Sequence, residues 1–211
     1  VLIGGFKLIK KLVGGNLYTN CYIIADELSR EAAVIDPVGD FKYINDLITS
    51  NDLKVKYILM THGHGDHIGA LPDVKECYNA PIGINPADEE LLSNAALNQS
   101  TLYENRTVEA TADIYLKDND ILKLGAKDIK VLHTPGHTKG SICILFGKEL
   151  ISGDTLFARG IGRTDLYGGD YEALINSIKT KLFVLPEDTN VHPGHGGSTT
   201  ILAEKMNYSI I

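Results

Sequence analysis

The sequence predicts an α/β layered sandwich, two stacked β-sheets with helices on the outside. Three observations carry that prediction. Short apolar runs of strand character alternate with helical patterns along the chain. The strands fall into two β-rich halves, each followed by helices, the order expected of two sheets packed face to face. The third is composition: 44% hydrophobic against 22% charged residues supports a sizeable core. At 211 residues the chain fits a single domain spanning 1–211.

The elements follow in order. "CYIIAD" and "EAAVID" read as paired strands around a polar turn at Glu27 to Arg30. "FKYINDLITS" sets Phe41, Ile44, Leu47 and Ile48 at helical spacing. "VKYILMT" (55–61) is a continuous run suited to a buried strand, and "HIGALPDVKECYN" resumes a helical pattern despite Pro72. "IKVLHT", "SICILF" and "ELISGD" are three further strands in quick succession. "DYEALINSIKTKL" is the clearest amphipathic helix, with Asp170 as its N-cap. A strand near "TNVHP" and a helix from Ser198 complete the pattern. Residues 93–112 lack a clear period and read as a mobile loop or lid.

Composition narrows the function. The net charge of −7 and the lack of any Lys/Arg block longer than "KK" argue against nucleic acid as the main partner. No apolar stretch approaches the roughly 20 residues needed to span a bilayer. Gly4, Gly5 and Lys7 interrupt any signal-peptide core, so the chain is expected in the cytoplasm without a membrane partner. Cys21, Cys77 and Cys143 are an odd, widely spaced set without a CxxC pair, expected as buried thiols in a reducing compartment.

The histidines are not scattered. All seven lie in 62–67, 133–137 and 192–195. "THGHGDH" follows an apolar strand, so its side chains emerge at a strand's carboxyl end, a usual place for sites in layered α/β folds. His62 and His64 can turn the same way on extended backbone. Gly63 and Gly65 permit a tight turn from which Asp66 and His67 address a second position. The motif thus offers two ligand pairs, whereas one zinc normally takes four ligands in all. His133 after one strand, Asp154 after another, and His192 and His195 in "VHPGHGG" are the residues available to complete them. Several imidazoles with two carboxylates suit zinc, iron or manganese. The HExxH helix, the P-loop and the G-x-S-x-G elbow are absent.

In this order the segments resemble the metallo-β-lactamase superfamily, whose T-H-x-H-x-D-H signature "THGHGDH" fits. "HTPGHTKGSICI", "SGDTLF" and "GIGRTDLYGGD" look most similar to its glyoxalase II (hydroxyacylglutathione hydrolase) branch. The resemblance implies a four-layer αββα sandwich with two divalent metal ions at one edge, zinc before iron or manganese. It assigns His62, His64 and His133 to the first ion and Asp66, His67 and His195 to the second, with Asp154 bridging. Asp66 is the residue expected to matter most directly to catalysis. His137 and His192 are expected to support ligands or stabilise turns. Arg163 is either near the site or half of an ion pair with Asp165 or Asp170.

The implied reaction is hydrolysis of a small-molecule thioester, S-acylglutathione or a relative, by a metal-bound hydroxide. Lowering the pKa of water from about 15.7 to about 7 corresponds to roughly 12 kcal/mol, so no Ser or Cys nucleophile is needed. Longer glyoxalase II proteins carry a C-terminal helical extension that holds glutathione. Only Lys205 is basic after His195 here, and no such extension is expected. The alternatives are a persulfide dioxygenase-like oxidoreductase with one iron on His62, His133 and Asp154, a lactonase, and a non-enzymatic metal-binding module. No oligomeric state is assigned.

Overall fold

The computed structural model describes residues 9–208. The amino-terminal stretch read for a signal peptide lies largely outside them. Among the described residues, no helix is long and apolar enough to cross a membrane.

Six strands form the first sheet in sequential order: β1 (Ile9–Gly14), β2 (Thr19–Ala25), β3 (Glu31–Ile35), β4 (Lys54–Leu59), β5 (Ile82–Ile84) and β6 (Ile114–Tyr115). The hairpin read around Glu27–Arg30 is present as the antiparallel β2/β3 pair, with Ile23 opposite Val34. From β3 onward the pairing is parallel. The second sheet contains β7 (Ile121–Leu124), β8 (Lys127–His133), β9 (Ile142–Phe146) and β10 (Glu149–Gly153). A two-stranded ribbon, β11 (Leu156–Phe157) with β12 (Gly160–Ile161), follows, and β13 (Asn190–Pro193) and β14 (Thr199–Thr200) complete the second sheet.

Strand alternation builds the layers. On β2, Tyr22 and Ile24 face the second sheet, where they meet Ile129, Val131, Ile142, Ile144 and Phe146. The intervening Cys21, Ile23 and Ala25 face outward, under α1 (Phe41–Ser50) and α2 (Leu71–Tyr78), which bring Ile44, Ile48, Leu71 and Val74. The outer face of the second sheet, including Leu132, Cys143 and Leu150, is covered by Leu174, Ile178 and Ile201 from the carboxyl-terminal helices. The result is helix, sheet, sheet, helix. Each fully buried aliphatic side chain contributes about 1.5–3 kcal/mol relative to exposure, so the two outer helix layers are anchored by their apolar stripes.

Pro72 does not break α2, because it sits in the first turn, where the missing N–H has no intrahelical partner to lose. Residues 93–112 are not an unstructured loop. After α3 (Glu89–Leu92) the chain forms α4 (Ala95–Asn98) and α5 (Ser100–Tyr103), tied down by buried Asn98, whose side-chain amide donates to Leu91 O and Val108 O, both at 3.0 Å. Helices of one turn are too short to write a 3.6-residue period into the sequence. α6 (Tyr171–Ser177) starts at Asp170, whose carboxylate accepts from Ala173 N at 3.0 Å, and runs on as a π-helical turn over Ile178–Leu182. α7 (Ile201–Asn207) starts three residues after the expected Ser198, behind the Thr200 cap. Of the three cysteines expected to be buried, Cys77 is exposed on α2; Cys21 and Cys143 are buried and all three are free thiols.

Candidate metal centre

The loops leaving β4, β8, β10 and β13 converge on one edge of the sandwich. There the imidazole nitrogens of three histidines meet: His64 Nδ1 lies 3.0 Å from His137 Nε2, which lies 3.3 Å from His62 Nε2. Both His62 and His137 have the other ring nitrogen engaged. His62 Nδ1 is 3.1 Å from Thr61 Oγ1, whose hydroxyl donates to Asp36 Oδ2 at 2.7 Å, so that oxygen accepts from the ring. His137 Nδ1 donates to the Arg163 carbonyl at 2.7 Å. In neutral rings this leaves unprotonated Nε2 atoms pointing at each other, an arrangement that calls for a cation between them. Burial, then the neighbouring His67, drives the His62 pKa far below the ordinary imidazole range.

A second group adjoins the first. His195 Nε2 is 3.2 Å from Asp66 Oδ2, and His67 Nε2 is 3.6 Å from the same oxygen. His67 Nδ1 donates to Asp36 Oδ2 at 2.9 Å, which aims its Nε2 into the site. Burial would lower the His67 pKa, but Asp66, Asp154 and Asp36 together outweigh it and raise the pKa well above normal. That field favours a positive charge, whether proton or metal, at this point. Asp154 lies between the groups, with Oδ1 3.4 Å from His67 Nε2 and Oδ2 3.7 Å from His137 Nε2. His64 Nε2, His67 Nε2 and Asp154 Oδ1 are buried without a hydrogen-bond partner. Among the described residues, three sets could therefore hold metal: His62, His64 and His137; His62, His67 and Asp154; and Asp66, His67 and His195.

His133 is not among them, which corrects the ligand expectation. Its Nε2 lies 2.9 Å from the Lys139 carbonyl, and its N–H donates to Asp118 Oδ1. The turn after β8 is the reason. Pro135 and Gly136 carry the chain beyond the strand end, and Gly136 at φ +139° packs against the Leu174 backbone where a Cβ would collide. His137, four residues on, is the histidine delivered to His62 and His64. His192 also stays outside the clusters: Nε2 meets Glu149 Oε2 at 2.5 Å and Nδ1 meets Ser198 Oγ at 3.0 Å, joining β10, β13 and the turn after His195. Arg163 pairs with Asp165 through two bonds of 2.6 and 2.7 Å and also lines the site cavity.

Two contributors escaped the sequence reading. Asp36 takes the Thr61 N–H at 2.7 Å in addition to the Thr61 hydroxyl and His67. Its signal was available, since "AVID" ends a strand in a carboxylate just as "ISGD" does at Asp154. Asp88, described below, gave no signal, because "ADEELL" reads as an ordinary acidic helix start. The groups open into a cavity of about 360 Å³, walled by Leu17, Tyr103, Phe157, Ile161 and Leu166 beside Arg163.

Comparison with known proteins identifies the family. A family model described as the metallo-beta-lactamase superfamily matches residues 14–195. The probable metallo-hydrolase YqgX of Bacillus subtilis is 38% identical over 202 residues, 93% of each chain. The hydroxyacylglutathione hydrolase GloC of Haemophilus influenzae is 37% identical over 192 residues, 89% of this chain and 90% of the relative. Among solved structures, the BLEG-1 B3 metallo-beta-lactamase superposes with a TM-score of 0.87 at 37% identity, over 94% of this chain and 96% of its own. TTHA1623 in a di-iron-bound form gives 0.84 at 30%, over 96% and 100%. ETHE1 from Myxococcus xanthus gives 0.81 at 30%, over 95% and 83%.

Proposed function

Because the chain belongs to the metallo-β-lactamase superfamily, we propose that it is a two-metal hydrolase acting on a small-molecule thioester, S-acylglutathione or a related acyl thioester. Asp154 carries this reading: one carboxylate faces His67 with one oxygen and His137 with the other. His62, His64 and His137 would hold one ion and Asp66, His67 and His195 the other. The open cavity supports catalysis over a closed structural site. When bound, such ions supply water acidic enough to be deprotonated at neutral pH and an electrophile for a carbonyl oxygen. Zinc, iron and manganese all suit the donor set, and the di-iron form of TTHA1623 keeps iron beside zinc as a candidate.

The chain's own residues position and select. Asp36 and Thr61 hold His67 and His62 in the ring orientation that turns Nε2 inward. Leu17, Phe157, Ile161 and Leu166 offer an apolar wall for an acyl group, and Arg163 a cationic contact for a carboxylate at the cavity mouth. The net charge of −7 supports a small substrate over nucleic acid.

A second reading, a mononuclear iron oxidoreductase acting on persulfides, is favoured by a two-histidine, one-carboxylate arrangement in which His137 Nε2 lies 3.3 Å from His62 Nε2 and 3.7 Å from Asp154 Oδ2, and stands beside the likeness to ETHE1. The test is a substrate screen with metal analysis of the purified protein. Hydrolysis of S-lactoylglutathione or simple thioesters without oxygen uptake supports the proposal; oxygen uptake on glutathione persulfide, with about one iron per chain and no hydrolysis, supports the second reading. A β-lactam belongs in the screen because BLEG-1 is named as a lactamase.

A further inference from the structure

Asp88 stands at the start of α3, where an aspartate would ordinarily cap its own helix. It makes no such bond. Its fully buried carboxylate reaches across the molecule instead. Oδ2 accepts from the Gly63 N–H at 3.1 Å and from the Thr138 hydroxyl at 2.7 Å, and Oδ1 accepts from the Gly140 N–H at 2.7 Å. Gly63 separates His62 from His64, and Thr138 and Gly140 follow His137. The three histidines thus sit on two loops, one leaving each sheet, and Asp88 belongs to neither.

We propose that Asp88 is a positioning residue that sets the spacing between His62 and His64 on one loop and His137 on the other, and so tunes the three-histidine metal site without touching it. The inference rests on the metal-site reading above. The geometry is specific: a carboxylate accepts on both oxygens, so it can hold donors from both loops at once. An amide in its place would turn an NH₂ toward at least one of these backbone N–H groups. The Asp66, His67 and His195 group has its own supports, Asp36 behind His67 and the Thr19 hydroxyl donating to Asp66 at 3.1 Å. Loss of Asp88 should therefore weaken one site selectively.

The test compares wild type, Asp88→Asn and Thr138→Val in two measurements. In the first, chelator competition with Zn²⁺ gives stepwise affinities. Asp88→Asn should weaken one of the two ions by about 10–100-fold, the range for partners that orient ligands, and leave the other within about twofold. Thr138→Val removes one of the three donors to Asp88, together with the contact of the same hydroxyl to Ser141 Oγ at 2.7 Å, and should shift the same step by less. In the second, amide exchange of the metal-free protein should speed up at Gly63 and Gly140 in Asp88→Asn, and at Gly63 and Gly140 to a lesser degree in Thr138→Val. Wild-type affinities and exchange rates in a folded variant would overturn the inference, as would equal weakening of both ions. Should Asp88→Asn fail to fold, Thr138→Val decides by the same criteria. A wild type that takes up no Zn²⁺ contradicts the functional reading instead, and exchange in the metal-free protein then decides whether Asp88 couples the loops.

Discussion

His137 Nε2 lies 3.0 Å from His64 Nδ1, although the two residues are 73 positions apart and leave different sheets. The sandwich brings a histidine from each half to one point, and neither loop alone could assemble the three-nitrogen group. Replacing His137 by Ala should therefore reduce both metal content and turnover by more than the 10–100-fold typical of residues that only orient ligands. His133→Ala removes a ring bound to the Lys139 carbonyl and should leave the metal content at its wild-type value. Metal quantification of the two variants side by side checks the assignment; metal loss in His133→Ala with retention in His137→Ala would reverse it.

Asp36 collects three donors at a site 1% exposed. Asp36→Ala would strand the Thr61 N–H and free the His67 ring. Each unsatisfied buried group costs about 1–3 kcal/mol, so the melting temperature should drop even in the metal-free protein. Metal affinity at the Asp66, His67 and His195 group should fall by about 10–100-fold as well. Calorimetry on chelated protein separates the two effects.

The pH dependence of metal uptake follows from the same field. Burial opposes charge on His67 and His195, yet the surrounding carboxylates raise both pKa values. Below those raised values both rings hold protons that a metal must displace, so affinity should increase with pH until the values are passed and then level off. Titration calorimetry near pH 7 in buffers of different ionisation enthalpy should show proton release on binding. A binding enthalpy independent of buffer would contradict it.

Arg163 lines the cavity with its guanidinium already oriented by Asp165. Arg163→Ala should raise KM for an anionic thioester and leave metal content unchanged, with a smaller effect on a neutral thioester of the same acyl group. Steady-state kinetics on the pair reads the difference. Equal loss for both substrates would place Arg163 in a structural role only.

The layers were legible because their residues keep strict strand alternation and helical stripes, as in β2 and α1. The split of "THGHGDH" between two candidate groups, His62 with His64 and Asp66 with His67, was also legible, since Gly63 and Gly65 permit the turn that separates them. What did not show is long-range. Choosing His137 over His133 depends on how far the Pro135–Gly136 turn carries the chain, and the two histidines look equivalent in a linear sequence. Asp36 and Asp88 act through partners at least 25 positions away, and the one-turn helices after α3 are too short to reveal themselves by period.

The most direct test of the two-metal account is stepwise titration of Zn²⁺ into chelated protein with thioester hydrolysis followed at each addition. The account predicts two binding steps per chain and an Asp66→Ala variant that retains only one, with hydrolysis lost. A single equivalent that gives full activity, or an Asp66→Ala protein that binds two ions and turns over normally, would contradict it.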